Sequence, residues 1–146
     1  MLLIVGVLAV FLTKTSAQDT NLQIDANTTT ILMPELNSTF AKLNEKWGFK
    51  PIWDENITRE ALQEAIHQKS TMADFKILRK RAYMKSLRNE TTMDKKVEKA
   101  LRHRLMIAQT LPHHLPKFSH YGCNGIYNTT GRQDVLTVAC LYRNNK

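Results

Sequence analysis

The chain has 146 residues, of which 42% are hydrophobic and 23% are charged, and its formal net charge is +8. This composition excludes an intrinsically disordered chain, which would have fewer apolar residues or a larger charge excess. Only two cysteines are present, which excludes a dense disulfide scaffold, so we expect one domain with an ordinary apolar core.

The amino-terminal segment predicts export from the cell. Residues 2–12 form an uncharged apolar run, and Thr15 and Ala17 are small enough for the two specificity pockets of signal peptidase. We therefore expect a signal peptide at 1–17, cleaved before Gln18. A membrane anchor is the alternative, but a helix of this run would be about 16 Å long, well short of a hydrocarbon core of about 30 Å.

Several asparagines stand in the N-glycosylation pattern Asn-x-Ser/Thr, more than chance predicts for this composition. The pattern is typical of a chain that passes through the secretory pathway. Each modified asparagine must lie at the surface, because a glycan is too bulky and polar to bury. The predicted sites are Asn27, Asn37, Asn56, Asn89 and Asn128.

A polar lead-in at 18–33 precedes a single predicted α+β domain at 34–146. Pro34 favours the start of a first helix, in which apolar residues from Leu36 to Trp47 recur on one face. Asp54 is placed to cap a second helix with another apolar face.

Two further helices are predicted, each from a Thr-x-x-Asp capping pattern. The third begins near Thr71 and places Phe75, Leu78, Ala82 and Leu87 on one face. The fourth follows Thr91, carries an apolar stripe and stops at a proline. Its inward residues are Met93, Val97, Ala100, Leu101, Leu105 and Ala108, and the proline is Pro112, which opens an irregular connection at 112–120.

The last part of the domain predicts an antiparallel β-hairpin, with strands at 121–127 and 135–142. A turn centred between Gly131 and Arg132 places Cys123 opposite Cys140, near enough for a cross-strand disulfide. Two free buried thiols are the alternative. The expected fold class is therefore α+β, with about four amphipathic helices followed by a C-terminal antiparallel β-hairpin with a cross-strand disulfide.

The positive charge is concentrated in residues 76–104. This stretch indicates either a surface for polyanions, such as sulfated glycans or anionic membranes, or simply solvated helix faces. Nucleic acid is not an expected partner, because no spaced aromatic platform accompanies the charges. The candidate residues are Lys76, Arg79, Lys80, Arg81, Lys85, Arg88, Lys95, Lys96, Lys99, Arg102 and Arg104.

No motif predicts an enzyme, a metal site or a cofactor. Five histidines are present, but no HExxH pattern, nucleophile elbow or phosphate-binding glycine loop accompanies them. A secreted hydrolase is the weakest alternative, since it needs an acid from another segment beside His113, His114 or His120.

The hairpin resembles the closing hairpin of the CAP superfamily, the cysteine-rich secretory and venom-allergen proteins, through Gly122, Cys123, Cys140 and Tyr142. Trp53-Asp54 before an amphipathic helix is similar to an early helix of that family. The resemblance implies an α-β-α sandwich and extracellular protein or lipid binding. The family's glutamate-asparagine element and histidine-bearing strand have no counterpart here, so no cavity histidine is assigned.

Two hypotheses from different classes follow. The first is a secreted, glycosylated, non-enzymatic binding or signalling protein, with an extracellular protein, glycan or membrane surface as its partner. The second is a reduced CAP-like protein with a cavity for lipid or metal.

Overall fold

The computed structural model describes residues 28–47, 50–68, 71–87, 90–110 and 118–144. The signal peptide at 1–17 and most of the lead-in lie outside these ranges, as do two predicted glycosylation sites and residues 112–117 of the proline-rich connection. The helices are α1 (Asn37–Lys46), α2 (Glu55–His67) and α3 (Met93–Thr110), with a 3₁₀ turn at Lys85–Leu87. The strands are β1 (Thr29–Ile31), β2 (Ile52–Trp53), β3 (Phe75–Met84), β4 (His120–Asn128) and β5 (Gln133–Arg143).

The strands form one sheet in the order β1-β4-β5-β3, and β2 also pairs with β4. All pairs are antiparallel except the short β2–β4 pair. The two strands of the C-terminal hairpin therefore occupy the centre of the sheet, and β3 forms one edge. Every strand from the earlier part of the chain pairs with one of these two.

Helices pack on both faces of the sheet. On one face, α1 and α3 cover a large core that contains Phe40, Leu101 and Tyr142. On the other face, α2 packs on Ala139 and Leu141 of β5 through its own small residues. The sheet thus forms the middle of three layers, as expected when two faces of a sheet each bury apolar side chains.

The prediction of about four helices is wrong, because its third helix is strand β3. The ten residues of β3 pair with β5 along their whole length, from Phe75 opposite Tyr142 to Met84 opposite Gln133. Lys, Arg and Leu favour helices locally, but this pairing overrides the preference. The chain remains an α+β protein, with three helices and five strands among the described residues.

The first helix begins three residues later than predicted. Pro34 lies in a turn, in which the N–H of Asn37 donates to the Pro34 carbonyl (3.1 Å), and α1 starts at Asn37.

The second helix is capped as predicted. The Asp54 carboxylate accepts the backbone N–H groups of Asn56 (2.7 Å) and Ile57 (3.1 Å), which satisfies two donors of the first turn.

The hairpin has the predicted register, with Cys123 directly opposite Cys140. Their Cα atoms are 4.1 Å apart and the two sulfurs form a disulfide. Next to it, Gly122 allows α2 to approach the sheet closely. A Cβ at this position would lie 2.2 Å from the backbone nitrogen of Thr58, so no larger residue fits without moving the helix.

Candidate functional site

The basic residues of 76–104 are divided between the edge strand β3 and the helix α3. Alternation along β3 places Arg79 and Arg81 on the same face as Ile77, the face that α3 covers. On α3, Lys99 and His103 are four residues apart and lie on one side of the helix. The side chains from the two elements therefore converge.

A shallow cleft of about 230 Å³ lies where they meet. Its lining holds an imidazole and three cations from the facing sides of β3 and α3 but no carboxylate, which makes it a candidate site for an anion. Lys80 also borders the cleft, although alternation along β3 directs its side chain to the opposite face of the sheet. The lining residues are Arg79, Lys80, Arg81, Lys99, Ala100 and His103.

Contacts between β3 and α3 fix the cleft. The Arg81 guanidinium donates to the backbone carbonyl of Lys99 (3.2 Å) and lies 5.9 Å from the centre of the Tyr83 ring. The Tyr83 hydroxyl donates to the carbonyl of Lys96 (3.1 Å). Burial raises the pKa of Tyr83 above its usual value, against the opposing effect of the Arg81 charge. Tyr83 therefore remains a neutral donor at physiological pH.

Two of the candidate cations, Lys76 and Lys96, bond to buried groups of the protein instead of facing a ligand. Lys96 is only 3% exposed, and its ammonium donates to the hydroxyl of Tyr127 (3.0 Å) and lies over the Tyr127 ring. The Tyr127 hydroxyl in turn donates to Asp134 (2.8 Å). Lys76 forms an ion pair of 2.8 Å with the fully buried Glu64. Helical periodicity could not distinguish these two lysines from the exposed bases. A lysine is buried only with a partner, and here the partner comes from another segment, which local spacing does not show.

The other candidate cations lie at the surface or outside the described residues. Lys85 lies in the 3₁₀ turn after β3, Lys95 and Arg102 are exposed on α3, and Arg88 lies outside the described residues. Arg104 lines a separate cavity of about 270 Å³, formed with apolar residues of β3 and α3. His103 was not among the predicted polyanion residues, although its spacing of four from Lys99 is the signal that places it in the cleft.

The histidines do not form a metal site in the part of the chain that is described. No group of three His, Cys, Asp or Glu residues there has the arrangement needed to hold a metal ion. His67 is exposed at the end of α2 and His120 begins β4, whereas His113 and His114 lie outside the described residues. Within the same ranges, no helix combines the length and apolar character needed to cross a bilayer.

Three predicted glycosylation sites are described, and they differ in setting. Asn37 and Asn56 are exposed in the first turns of α1 and α2, whereas Asn128 is half-buried at the end of β4. Asn27 and Asn89 lie outside the described residues.

Comparison with known proteins identifies relatives of this chain. Residues 39–144 match the model of a family described as the 15 kDa excretory/secretory protein. A relative, the 30 kDa antigenic glycoprotein of Trichostrongylus colubriformis, is 50% identical over 112 residues, which cover 77% of this chain and 82% of the relative. No solved structure matches the chain.

These matches correct the CAP resemblance, because they connect the chain to a different family and none of them is a CAP protein. The hairpin residues that carried the resemblance, a Gly-Cys pair opposite a second cysteine, suit any disulfide-linked hairpin. The secretory route predicted from the amino terminus agrees with the family, and the protein is secreted. The chain belongs to the 15 kDa excretory/secretory protein family.

Proposed function

We propose that the chain is a non-catalytic, N-glycosylated binding protein that recognises sulfated polysaccharides through the cleft between β3 and α3. The observation that carries this proposal is the convergence of Arg79, Arg81 and Lys99 on one concave surface without a carboxylate in the lining. Among the described residues, no acid forms an ion pair with Arg79 or Lys99, so their charges are available to a ligand.

The chemistry of the cleft favours sulfate groups. Arginine guanidinium groups bind tetrahedral oxyanions through paired hydrogen bonds, and lysine adds a compact charge. A cleft of about 230 Å³ accommodates a sulfated sugar unit rather than a whole chain. The exposed bases elsewhere on α3 and after β3 add longer-range attraction for the rest of a polymer.

Two further observations support the remaining parts of the proposal. The lining contains an imidazole but no carboxylate, hydroxyl or thiol to act with it, which suits anion binding better than bond cleavage. N-glycosylation is supported by the sequence pattern and by the glycoprotein among the relatives. An anionic membrane surface is the competing ligand, and a concave site fits it less well than a flat one would.

A charge-matched pair of double variants tests the proposal. Arg79→Gln/Lys99→Gln removes two cations of the cleft, and Lys42→Gln/Lys50→Gln removes two exposed cations outside residues 76–104. We expect the first to weaken heparin binding about tenfold, equivalent to about 1.4 kcal/mol, and the second to change it little. The slope of log affinity against log salt should also fall only for the first, by roughly one for each lost contact.

The measurement is titration calorimetry with heparin, with desulfated heparin as the ligand control. Equal weakening by the two double variants would mean that attraction is non-specific and would contradict the proposal. Equal binding of desulfated heparin, or binding of phosphatidylserine vesicles without binding of heparin, would also contradict it.

A further inference from the structure

Half of the α2 face of the sheet has no described helix over it. The apolar cluster under α2 includes Leu78, Ala139 and Leu141, near one end of the strands. Beyond them the same face continues across four strands in two rows of opposed residues. The first row is Lys80, Thr137, Ile126 and Ile31, and the second is Ala82, Val135, Asn128 and Thr29.

This open face combines apolar and polar side chains, and Thr137 within it is buried. Ile31 is 36% exposed, and Met84, one row further along β3, is 62% exposed. Ile126 and Val135 are half-buried. They line a shallow groove of about 270 Å³ together with Asn128 and the hairpin turn. Contiguous apolar surface marks an interaction site more often than scattered single residues do.

Asn128 lies within the open face, between Val135 of β5 and Thr29 of β1. Its amide nitrogen donates to the Thr29 hydroxyl (3.1 Å), and its amide oxygen accepts from the N–H (2.9 Å) and the hydroxyl (2.6 Å) of Thr130. These bonds use one of the two amide hydrogens. One amide hydrogen therefore has no partner among these bonds, and replacement of one hydrogen by an N-linked sugar leaves the other for Thr29.

We propose that Asn128 is glycosylated and that the first sugars of its glycan lie on the open half of the sheet and cover it. In the linkage step, Nδ2 bonds to the anomeric C1 of N-acetylglucosamine, the bond from C1 to a lipid pyrophosphate donor breaks, and Nδ2 loses one proton. The sugar ring presents C–H groups to Ile126 and Val135 and hydroxyls to water. Met84 lies two strand spacings across and one row along the sheet, roughly 12 Å away, within reach of a disaccharide.

The other described sites give a contrast that makes the proposal specific. Asn37 and Asn56 are exposed in the first turns of helices, so glycans there project into solvent. Only the Asn128 glycan starts from within the open face in the described part of the chain. The groove at Asn128 and the basic cleft share only Lys80 in their linings, so loss of the glycan should change heparin affinity little.

Two variants at Thr130 test whether the glycan covers the open face. Thr130→Ser keeps the glycosylation pattern, whereas Thr130→Ala removes it, and Thr130 is exposed, so both variants should fold. Expressed in a glycosylating eukaryotic host, Thr130→Ala should lose the glycan at Asn128 and lower the Tm by about 3 °C. Oxidation of Met84 by peroxide should accelerate severalfold, with Met72, which is 90% exposed on a loop, as the internal reference.

Unglycosylated protein refolded from bacteria separates the sugar from the hydroxyl of Thr130. There, Thr130→Ala and Thr130→Ser should have the same Met84 oxidation rate, and any difference in Tm measures the Thr130 hydroxyl alone, which donates to Asn128. Peptide mass spectrometry that finds Asn128 unmodified in the secreted protein would overturn the proposal, as would equal Met84 oxidation in the two glycosylated variants. A wild-type dimer that buries Met84 would assign the face to a second copy and overturn it too.

Discussion

The two faces of the sheet are packed in different ways. Under α1 and α3, large side chains such as Phe40, Leu101 and Tyr142 fill the space between helix and sheet. Under α2, small residues including Ala61 and Ala139 bring the backbones together. The face under α1 and α3 is stabilised by the large apolar volume that it buries. The face under α2 is stabilised by the close approach of helix and sheet that its small residues permit.

Because the packing differs, mutations on the two faces should destabilise the protein by different mechanisms. A truncation on the first face leaves a cavity, whereas an added methyl group on the second face causes an overlap. Three substitutions test this, one for each mode of packing and one for the hydrogen bond that joins α1 to β5.

The largest effect is expected from Phe40→Ala on the α1 side. Phe40 is fully buried, and its truncation should lower the free energy of unfolding by about 4 kcal/mol, through lost burial and the cavity that remains. Lys42→Ala, an exposed change on the same helix, should alter it by less than about 0.5 kcal/mol. Urea unfolding measures both, and a difference below about 1 kcal/mol would show that this face collapses without a cavity.

Gly122→Ala should be the next most damaging, although it adds only one methyl group. The new Cβ would lie within 3 Å of three backbone atoms of Ile57 and Thr58, so α2 has to move, at a cost of about 3 kcal/mol. Gly131→Ala is the matched control, because there the nearest atom is 3.5 Å away. Thermal unfolding compares the two, and equal Tm values would mean that α2 lies on the sheet less tightly than described.

The smallest effect is expected from Tyr142→Phe at neutral pH. The buried Tyr142 hydroxyl donates to Asn44 (2.6 Å), and its removal should cost about 1.5 kcal/mol. Equal urea midpoints for Tyr142→Phe and wild type at pH 7 would contradict this value.

The alkaline behaviour of Tyr142 gives a second, independent test. Burial raises the pKa of Tyr142 far above its usual value, whereas the unfolded chain ionises near pH 10. Its contribution to stability is therefore complete below about pH 10 and lost above it, by about 1.4 kcal/mol per pH unit. Urea unfolding from pH 8 to 11.5 should show a shallower loss for Tyr142→Phe than for wild type, and parallel curves would contradict the assignment.

Much of the fold was predictable from local signals. The Asp54 cap, the apolar stripe of α3 and the register of the hairpin each depend on residues close in sequence, and the structure has all three. The strands β1 and β2 are three and two residues long, too short for an alternating pattern to identify them.

The error over β3 has a different origin. Its apolar residues fit both a helical and an alternating spacing. Only the partner strand β5, whose residues lie at least 49 positions later, decides between them. The same error hid the cleft, because as a helix these residues would place Arg79 and Arg81 on different sides. Charged side chains are common on edge strands, where they oppose pairing with other chains.

The position of the hairpin in the sheet has a consequence for the order of folding. Synthesis proceeds from the amino terminus, yet β1, β2 and β3 all pair with β4 or β5, which are made after them. Until residues 118–144 have entered the secretory compartment, the earlier strands have no partner in the described sheet. Assembly of the sheet must therefore follow the translocation of residues 118–144, and until then the unpaired strands are open to aggregation.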